Sequence, residues 1–252
     1  MQVESRKREA VGVILAAGEG RRMRPLTGLY PKPALPVLGA PAIEIIAEKL
    51  IRSGISPLHC NLYHLPDRIE RIASKRSWPI VFHRERILLG TGGGIGNMAG
   101  ELDRYRTIFL HNGDVISNLD PQELLSFHRS RGALVTMVLI RHGPPASVTC
   151  TVDGAVTGIG PEAVEGDRKL GYAGIAVLDR SALGHFPRGE PADLVEILMS
   201  IIRKSPGSIV CFEPEPDFLW GEIGSPAGYL DLHRRVLVAR EMLDPIIEPP
   251  PL

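Results

Sequence analysis

Apolar residues recur along this chain with two alternating spacings. Residues 11–17 form a continuous apolar run, the pattern of a strand buried on both faces, and the run breaks abruptly at Gly18. Within residues 41–53, Ile43, Ile46, Ala47 and Leu50 fall on one helical face; Pro41 suits the first turn and Gly54 follows the last. Residues 57–63 then predict a short strand, 65–76 a basic amphipathic helix and 78–85 another strand. A further run, Thr107 to Leu110, ends in Asn112, Gly113 and Asp114. Asp120, Pro121 and Glu123 predict a capped helix start, and that helix stops at Gly132. After it come a long buried strand (133–141) and an expected hairpin (147–160) with Asp153-Gly154 as its two-residue turn. Residues 162–169 are charged and predict a surface loop; 171–179 predict a strand, 191–205 an amphipathic helix and 208–216 a strand. Ser225 and Pro226 predict the cap and first turn of a last helix. Such alternation argues for a three-layer α/β/α arrangement, a mostly parallel mixed central sheet covered on both faces, with ligands gathering at the carboxyl ends of its strands.

Composition narrows this picture. A chain of 252 residues with 44% hydrophobic content fits one large domain, expected over 11–240, between a flexible tail (1–10) and a Pro-rich tail (241–252). Basic and acidic residues balance at 29 each, so no overall pull toward nucleic acid or membrane is implied and any anion site must be local. Cys60, Cys150 and Cys211 have neither metal nor redox spacing and predict buried free thiols. No signal-peptide pattern and no run of membrane-spanning length is present, which leads us to expect a cytoplasmic protein.

Candidate chemistry gathers at three strand ends. After the first, Gly18 and Gly20 let backbone N–H groups approach phosphate oxygens, while Arg21, Arg22 and Arg24 add charge and Lys32 is clamped between Pro31 and Pro33. A dinucleotide fingerprint is disfavoured, because Met23 stands where its third glycine belongs and Pro25 follows closely. On pattern alone, a turn with a solvated basic rim stays open. At residues 89–96, LGTGGGIG, consecutive glycines would let a flat base or sugar lie against backbone amides at the start of a helix; a flexible loop is the alternative. At the third, Asp114 suits either Mg²⁺ or a simple turn.

The string LAAGEGRRMRPLTGLYPKP, residues 15–33, closely resembles the signature of sugar nucleotidyltransferases. That resemblance implies a single-domain, Rossmann-like fold whose nucleotide part is about 11–118 and sugar part about 119–240. It implies a nucleoside triphosphate and a sugar 1-phosphate as partners, joined with Mg²⁺ to give a nucleotide sugar and pyrophosphate. It assigns Arg22, Lys32 and Asp114 to catalysis, and Leu15, Ala16, Ala17, Gly18, Gly20, Thr91, Gly92, Gly93, Asn112 and Gly113 to the nucleotide. Gly171, Gly174 and Lys169 are assigned to the sugar phosphate, with a solvated Lys169 or Arg168 as the alternative. Asp114 and Glu222 are assigned to the metal. The triple glycine is similar to that of N-acetylmuramate-1-phosphate uridylyltransferases and some mannose- or heptose-1-phosphate guanylyltransferases. The chain departs from many relatives in lacking a Glu-Lys-Pro element and in carrying Glu222 where they have aspartate. Two other readings follow: a nucleotide-sugar-binding regulatory protein of weak or no activity, and a transferase for a non-sugar phosphate such as phosphocholine. Base, sugar and oligomeric state stay open.

Overall fold

The computed structural model describes residues 8–141, 147–165 and 167–239. Strand β1 (Arg8–Leu15) begins three residues before the apolar run, so Arg8 to Ala10 are strand rather than tail; residues 1–7 and 241–252 lie outside the described residues. Three short 3-10 turns follow (Arg21–Met23, Leu26–Gly28, Lys32–Ala34), then β2 (Pro36–Val37), β3 (Ala40–Pro41), α1 (Ala42–Arg52), β4 (Leu58–Leu62), α2 (Pro66–Ser74) and β5 (Ile80–Arg84). Next come α3 (Gly90–Leu102), β6 (Tyr105–Asn112), β7 (Val115–Ser117), α4 (Pro121–Arg131), β8 (Val135–Ile140), β9 (Val148–Cys150) and β10 (Val156–Ile159). The chain continues through β11 (Arg168–Asp179), α5 (Leu194–Lys204), β12 (Ile209–Phe212), β13 (Trp220–Glu222) and α6 (Pro226–Val238).

The expected mixed, mostly parallel sheet is present. Its path runs β10-β9-β11-β6-β1-β4-β5, with β8 on β11 and β12 on β8. Strands β6, β1, β4 and β5 are mutually parallel, and β11 runs antiparallel to β6 and β8. Period-two alternation sorts the apolar side chains to two faces. Val11, Val13, Ile108, Leu110, Ala176 and Leu178 pack with α3 and α5. Ile14, Phe109, Ile175 and Val177 pack with α1, α4 and α6. The anticipated caps are made: the Asp120 carboxylate accepts from Gln122 N at 2.8 Å, Ser225 Oγ accepts from Gly228 N at 3.2 Å, and Gly132 closes α4 at φ 59°.

Two expectations need correction. Five residues, 151–155, join β9 to β10 rather than a two-residue turn, because the end of this hairpin is drawn to β12: Cys211 N donates to Gly154 O at 2.8 Å and Ala155 bridges Val210. The charged segment 162–169 is also not loop throughout. Its last two residues begin β11, and the Arg168 guanidinium donates to Glu213 Oε2 at 2.9 Å, so its charge is met across the sheet. All three cysteines are buried and free. Among the described residues, no helix is long and apolar enough to cross a membrane.

Candidate active site

The ends of β1, β4 and β6 meet in one cleft. Where β1 stops, the chain turns through Gly18 and Gly20. Gly20 has φ 64°, and a Cβ there would come within 2.8 Å of Thr27 Cγ2 and 2.9 Å of Lys32 Cγ, so only glycine fits. The loop is folded rather than a loose rim. Thr27 is buried and its hydroxyl donates to Gly20 O at 2.9 Å, His64 Nε2 donates to Thr27 O at 2.6 Å, and Met23 is fully buried. The methionine that disfavours a dinucleotide fingerprint is therefore the loop's anchor. Backbone N–H groups of Ala17, Gly18, Glu19 and Gly20 have no acceptor among the described residues, which leaves a row of donors for an anion.

Lys32, set between buried Pro31 and Pro33, donates from Nζ to Asp114 Oδ2 at 2.7 Å; the two side chains are 15% and 21% exposed. A small second sheet brings the other carboxylate near. Strand β13 runs antiparallel to β7 with Glu222 opposite Val115, and Ile223 N donates to Asp114 O at 2.8 Å. Trp220 Nε1 donates to Ala173 O at 2.9 Å and Leu219 N to Asn118 Oδ1 at 2.9 Å, which fixes β13 against the main sheet. The Glu222 side chain has no partner among the described residues and lies over Gly224, where a Cβ would collide with it. A carboxylate just before β7 and an unengaged one on the paired strand β13 are the hard oxygen donors that Mg²⁺ takes.

The cleft is lined by Leu15, Ala16, Ala17, Gly18, Gly20, Lys32, Thr91, Asn112 and Asp114 from the sequence reading, together with Pro33, Asn61, Leu88 and Gly90. Gly113 and Gly174 support this wall. Gly113 N donates to Leu15 O at 2.9 Å and its α-carbon abuts Pro33, while Gly174, at φ 77°, leaves room for the Asn112 amide. Beneath them His111 is buried and donates from Nδ1 to Asn112 O at 2.8 Å; burial lowers its pKa to about 4, so it is a neutral packing residue.

Other assigned residues lie elsewhere. Gly92 and Gly93 are inside α3, outside the cleft lining, and both donate their N–H to Ala192 O, so these two amides are engaged by the chain itself. Gly171 is buried in β11 opposite Ile140, and Lys169 is exposed opposite Thr149, outside the lining. Arg22 is exposed on the loop beside the cleft and has no partner among the described residues, whereas neighbouring Arg21 pairs with Glu19 at 2.6 Å.

The sequence reading missed Asn61 and Glu85. Asn61 Oδ1 accepts from Ala16 N at 2.9 Å, Asn61 Nδ2 donates to Glu85 Oε1 at 2.8 Å, and Glu85 Oε2 accepts from Leu89 N at 2.9 Å. This chain of bonds ties the end of β1 to the start of α3. The available signal was an asparagine near the end of an otherwise buried strand, a position that demands hydrogen-bond partners.

Comparison with known proteins agrees with this fold. A family model described as nucleotidyl transferase matches residues 11–148. The chain is 30% identical over 225 residues to mannose-1-phosphate guanylyltransferase of Mycobacterium tuberculosis (86% of this chain, 62% of that protein). It is 26% identical to UTP--glucose-1-phosphate uridylyltransferase of a Synechocystis species (89% and 63%). It thus spans less than two thirds of the length of these relatives. The crystal structure of HddC from Yersinia pseudotuberculosis complexed with GMP-PN superposes with a TM-score of 0.72 at 21% identity, covering 90% of this chain and 99% of that one, which shows the shared Rossmann-like α/β fold. With the signature loop folded at the end of the first strand and the family model matched over more than half its length, this chain belongs to the nucleotidyl transferase family.

Proposed function

We propose that the protein joins a nucleoside triphosphate to a sugar 1-phosphate, releasing pyrophosphate and a nucleotide sugar. The observation that carries this reading is the Lys32–Asp114 pair at 2.7 Å, beside the unsatisfied amides of residues 17–20 and one strand from Glu222. Both reactants are polyanions that repel each other, so positioning and charge neutralisation supply the catalysis. An ionised oxygen of the sugar phosphate attacks the α-phosphorus in line, the bond from that phosphorus to the bridging oxygen of the β-phosphate breaks, and pyrophosphate departs with that electron pair. No proton need move in this step, and no nucleophilic side chain is required.

Each residue then has a task. The free amides of the glycine loop receive phosphate oxygens, and Arg22, exposed at the rim, steadies the triphosphate. Lys32 exchanges its carboxylate partner for the phosphates as charge builds on them; its two prolines limit the entropy lost in doing so. Asp114 and Glu222 would hold Mg²⁺, which when bound neutralises phosphate charge. The base and ribose are received by the part formed by residues 11–118 and the sugar by residues 119–240, where Gly174 supports the floor. Lys169 lies outside the cleft, so we assign it no contact. The work is done in the cytoplasm.

The test is pyrophosphate release with Mg²⁺ across four nucleoside triphosphates crossed with a panel of sugar 1-phosphates and phosphocholine. The names of the two relatives put GTP with mannose 1-phosphate first and UTP with glucose 1-phosphate second. One preferred pair is expected, and chelation of divalent cations should abolish turnover. Lys32→Met should lower the rate on the order of a hundredfold, about 3 kcal/mol in the barrier, while leaving thermal stability nearly unchanged. Silence across the panel, with no rise in melting temperature on adding any nucleotide, would overturn the reading.

A further inference from the structure

A second polar cluster sits between α3 and strands β4 and β5, outside the cleft. His59 on β4 and His83 on β5 meet edge to edge, Nδ1 to Nε2 at 2.9 Å, with ring centroids 5.1 Å apart and ring planes 19° from parallel. Glu101, near the end of α3, places Oε2 3.8 Å from His59 Nδ1. One ligating atom from each of the three residues lies within 4.8 Å of the other two. His59 is 2% exposed, whereas the Glu101 side chain is 52% exposed, so the group is walled on the strand side and open to solvent on the helix side.

We propose that His59, His83 and Glu101 form a binding site for a borderline transition-metal dication of the Zn²⁺ class. Two imidazoles and one carboxylate are three of the four ligands of a tetrahedral zinc centre, and the open side leaves the fourth position to water. Imidazole donors select against Mg²⁺, so this site and the all-oxygen pair at the cleft sort different ions. At Zn–N distances of about 2.0–2.1 Å, tetrahedral geometry needs ligating atoms roughly 3.3 Å apart. The two nitrogens must therefore separate slightly and the carboxylate must close in slightly, both within reach of side-chain torsions.

The placement suggests what the ion does. Asn61 on β4 and Glu85 just past the end of β5, two residues beyond His59 and His83, hold the N-terminal end of α3 beside the cleft. Glu101 lies roughly 16 Å along the helix from Gly90 at 1.5 Å per residue. Metal at the distal end would thus pin the same helix to the same two strands, stiffening the element whose Gly90 and Thr91 line the cleft.

The experiment is calorimetric titration of metal-stripped, full-length protein with Zn²⁺ in millimolar Mg²⁺, together with the absorption spectrum after Co²⁺ substitution and thermal melts. One equivalent of Zn²⁺ should bind, the Co²⁺ form should show the visible bands of a tetrahedral nitrogen–oxygen site, and the melting temperature should rise. His83→Ala and Glu101→Gln, both at accessible positions, should each weaken binding by more than about tenfold and remove the thermal gain. Glu222→Ala, on β13, should leave Zn²⁺ binding intact. Absence of stoichiometric Zn²⁺ uptake, or uptake equal in the wild type and both site variants, would overturn the proposal and leave the pair as a histidine–histidine hydrogen bond only.

Discussion

Two glycine-rich segments of this molecule do opposite things. In residues 18–20 the glycines stand at the mouth of the cleft, where Gly18 has no atom within 4 Å of the position a Cβ would take. In residues 92–96 they are turned inward. A Cβ on Gly92 would come within 2.5 Å of Ile197 Cδ1, and one on Gly94 within 2.7 Å of the Asn61 amide. Those on Gly93 and Gly96 would collide with the carbonyl oxygens of Glu190 and Pro187. Glycine marks a close approach in either case. At Gly18 the space beside the backbone is open cleft, whereas at Gly92, Gly93 and Gly96 it is filled by the chain's own residues, and only the folded structure tells the two apart.

The contrast is broken most severely at Gly96. Its α-carbon is packed against a backbone carbonyl that cannot rotate aside, so Gly96→Ala should cost more than about 3 kcal/mol, measured by urea or thermal unfolding, although no cleft residue is touched. A variant as stable as the wild type would mean that α3 is not packed on residues 186–192 as described.

Acid acts on the packed interior in a comparable range. His128 on α4 is buried and hydrogen-bonded to Thr136 Oγ1 at 2.8 Å; burial, with a smaller push from Arg129 and against the pull of Asp179, lowers its pKa to about 4. The unfolded chain takes up that proton near pH 6.5 and the folded protein only near 4. Stability is therefore complete above pH 6.5, declines as pH falls to 4 and levels off below, a loss of up to about 3 kcal/mol for this group. Melting temperatures measured across that interval for wild type and His128→Gln should diverge as pH rises, with the variant showing the flatter profile. Parallel profiles would remove His128 from the account.

Much of this arrangement was legible beforehand for a simple reason. Long apolar runs, the Asp120 and Ser225 caps and the Gly132 stop each carry local physics that tertiary contacts did not override. The lining of the candidate cleft was legible where a strand end coincides with a signature, at Gly18, Gly20, Lys32 and Asp114. Other parts depend on contacts that no spacing encodes. Strands β7 and β13 are three residues each, too short to show a period, yet their pairing sets Glu222 beside Asp114 across more than a hundred residues of chain. The partner of the triple glycine, residues 186–192, is equally remote, so the same letters read as a ligand platform. Charged Arg168 read as loop because its partner Glu213 lies on the segment after β12.

The two glycine segments are joined by Asn61, and removing it should separate their behaviours. Asn61→Ala leaves Ala16 N and one Glu85 oxygen without their partner, a cost of about 2 kcal/mol for buried polar groups. Because Leu89 N also depends on Glu85, hydrogen exchange should rise at the start of α3 before it rises in β1 or β6. Uniform acceleration throughout the sheet would show that the bonds stabilise the fold generally and do not tie the two segments to each other.

The smallest expected change in stability is at Gly18, and there the contrast is sharpest. Its backbone does not require a positive φ and the space around it is open, so Gly18→Ala should shift unfolding free energy by less than about 0.5 kcal/mol. That open space is also where the proposed triphosphate approaches the amides of residues 17–20, so a methyl group there intrudes on the ligand and not on the protein. Nucleotide affinity should fall while the melting temperature of the free protein stays in place, the reverse of Gly96→Ala, in which the protein is weakened directly. Equal nucleotide affinity in Gly18→Ala and wild type would remove the backbone of this loop from the binding surface and return residues 18–20 to the status of a structural turn.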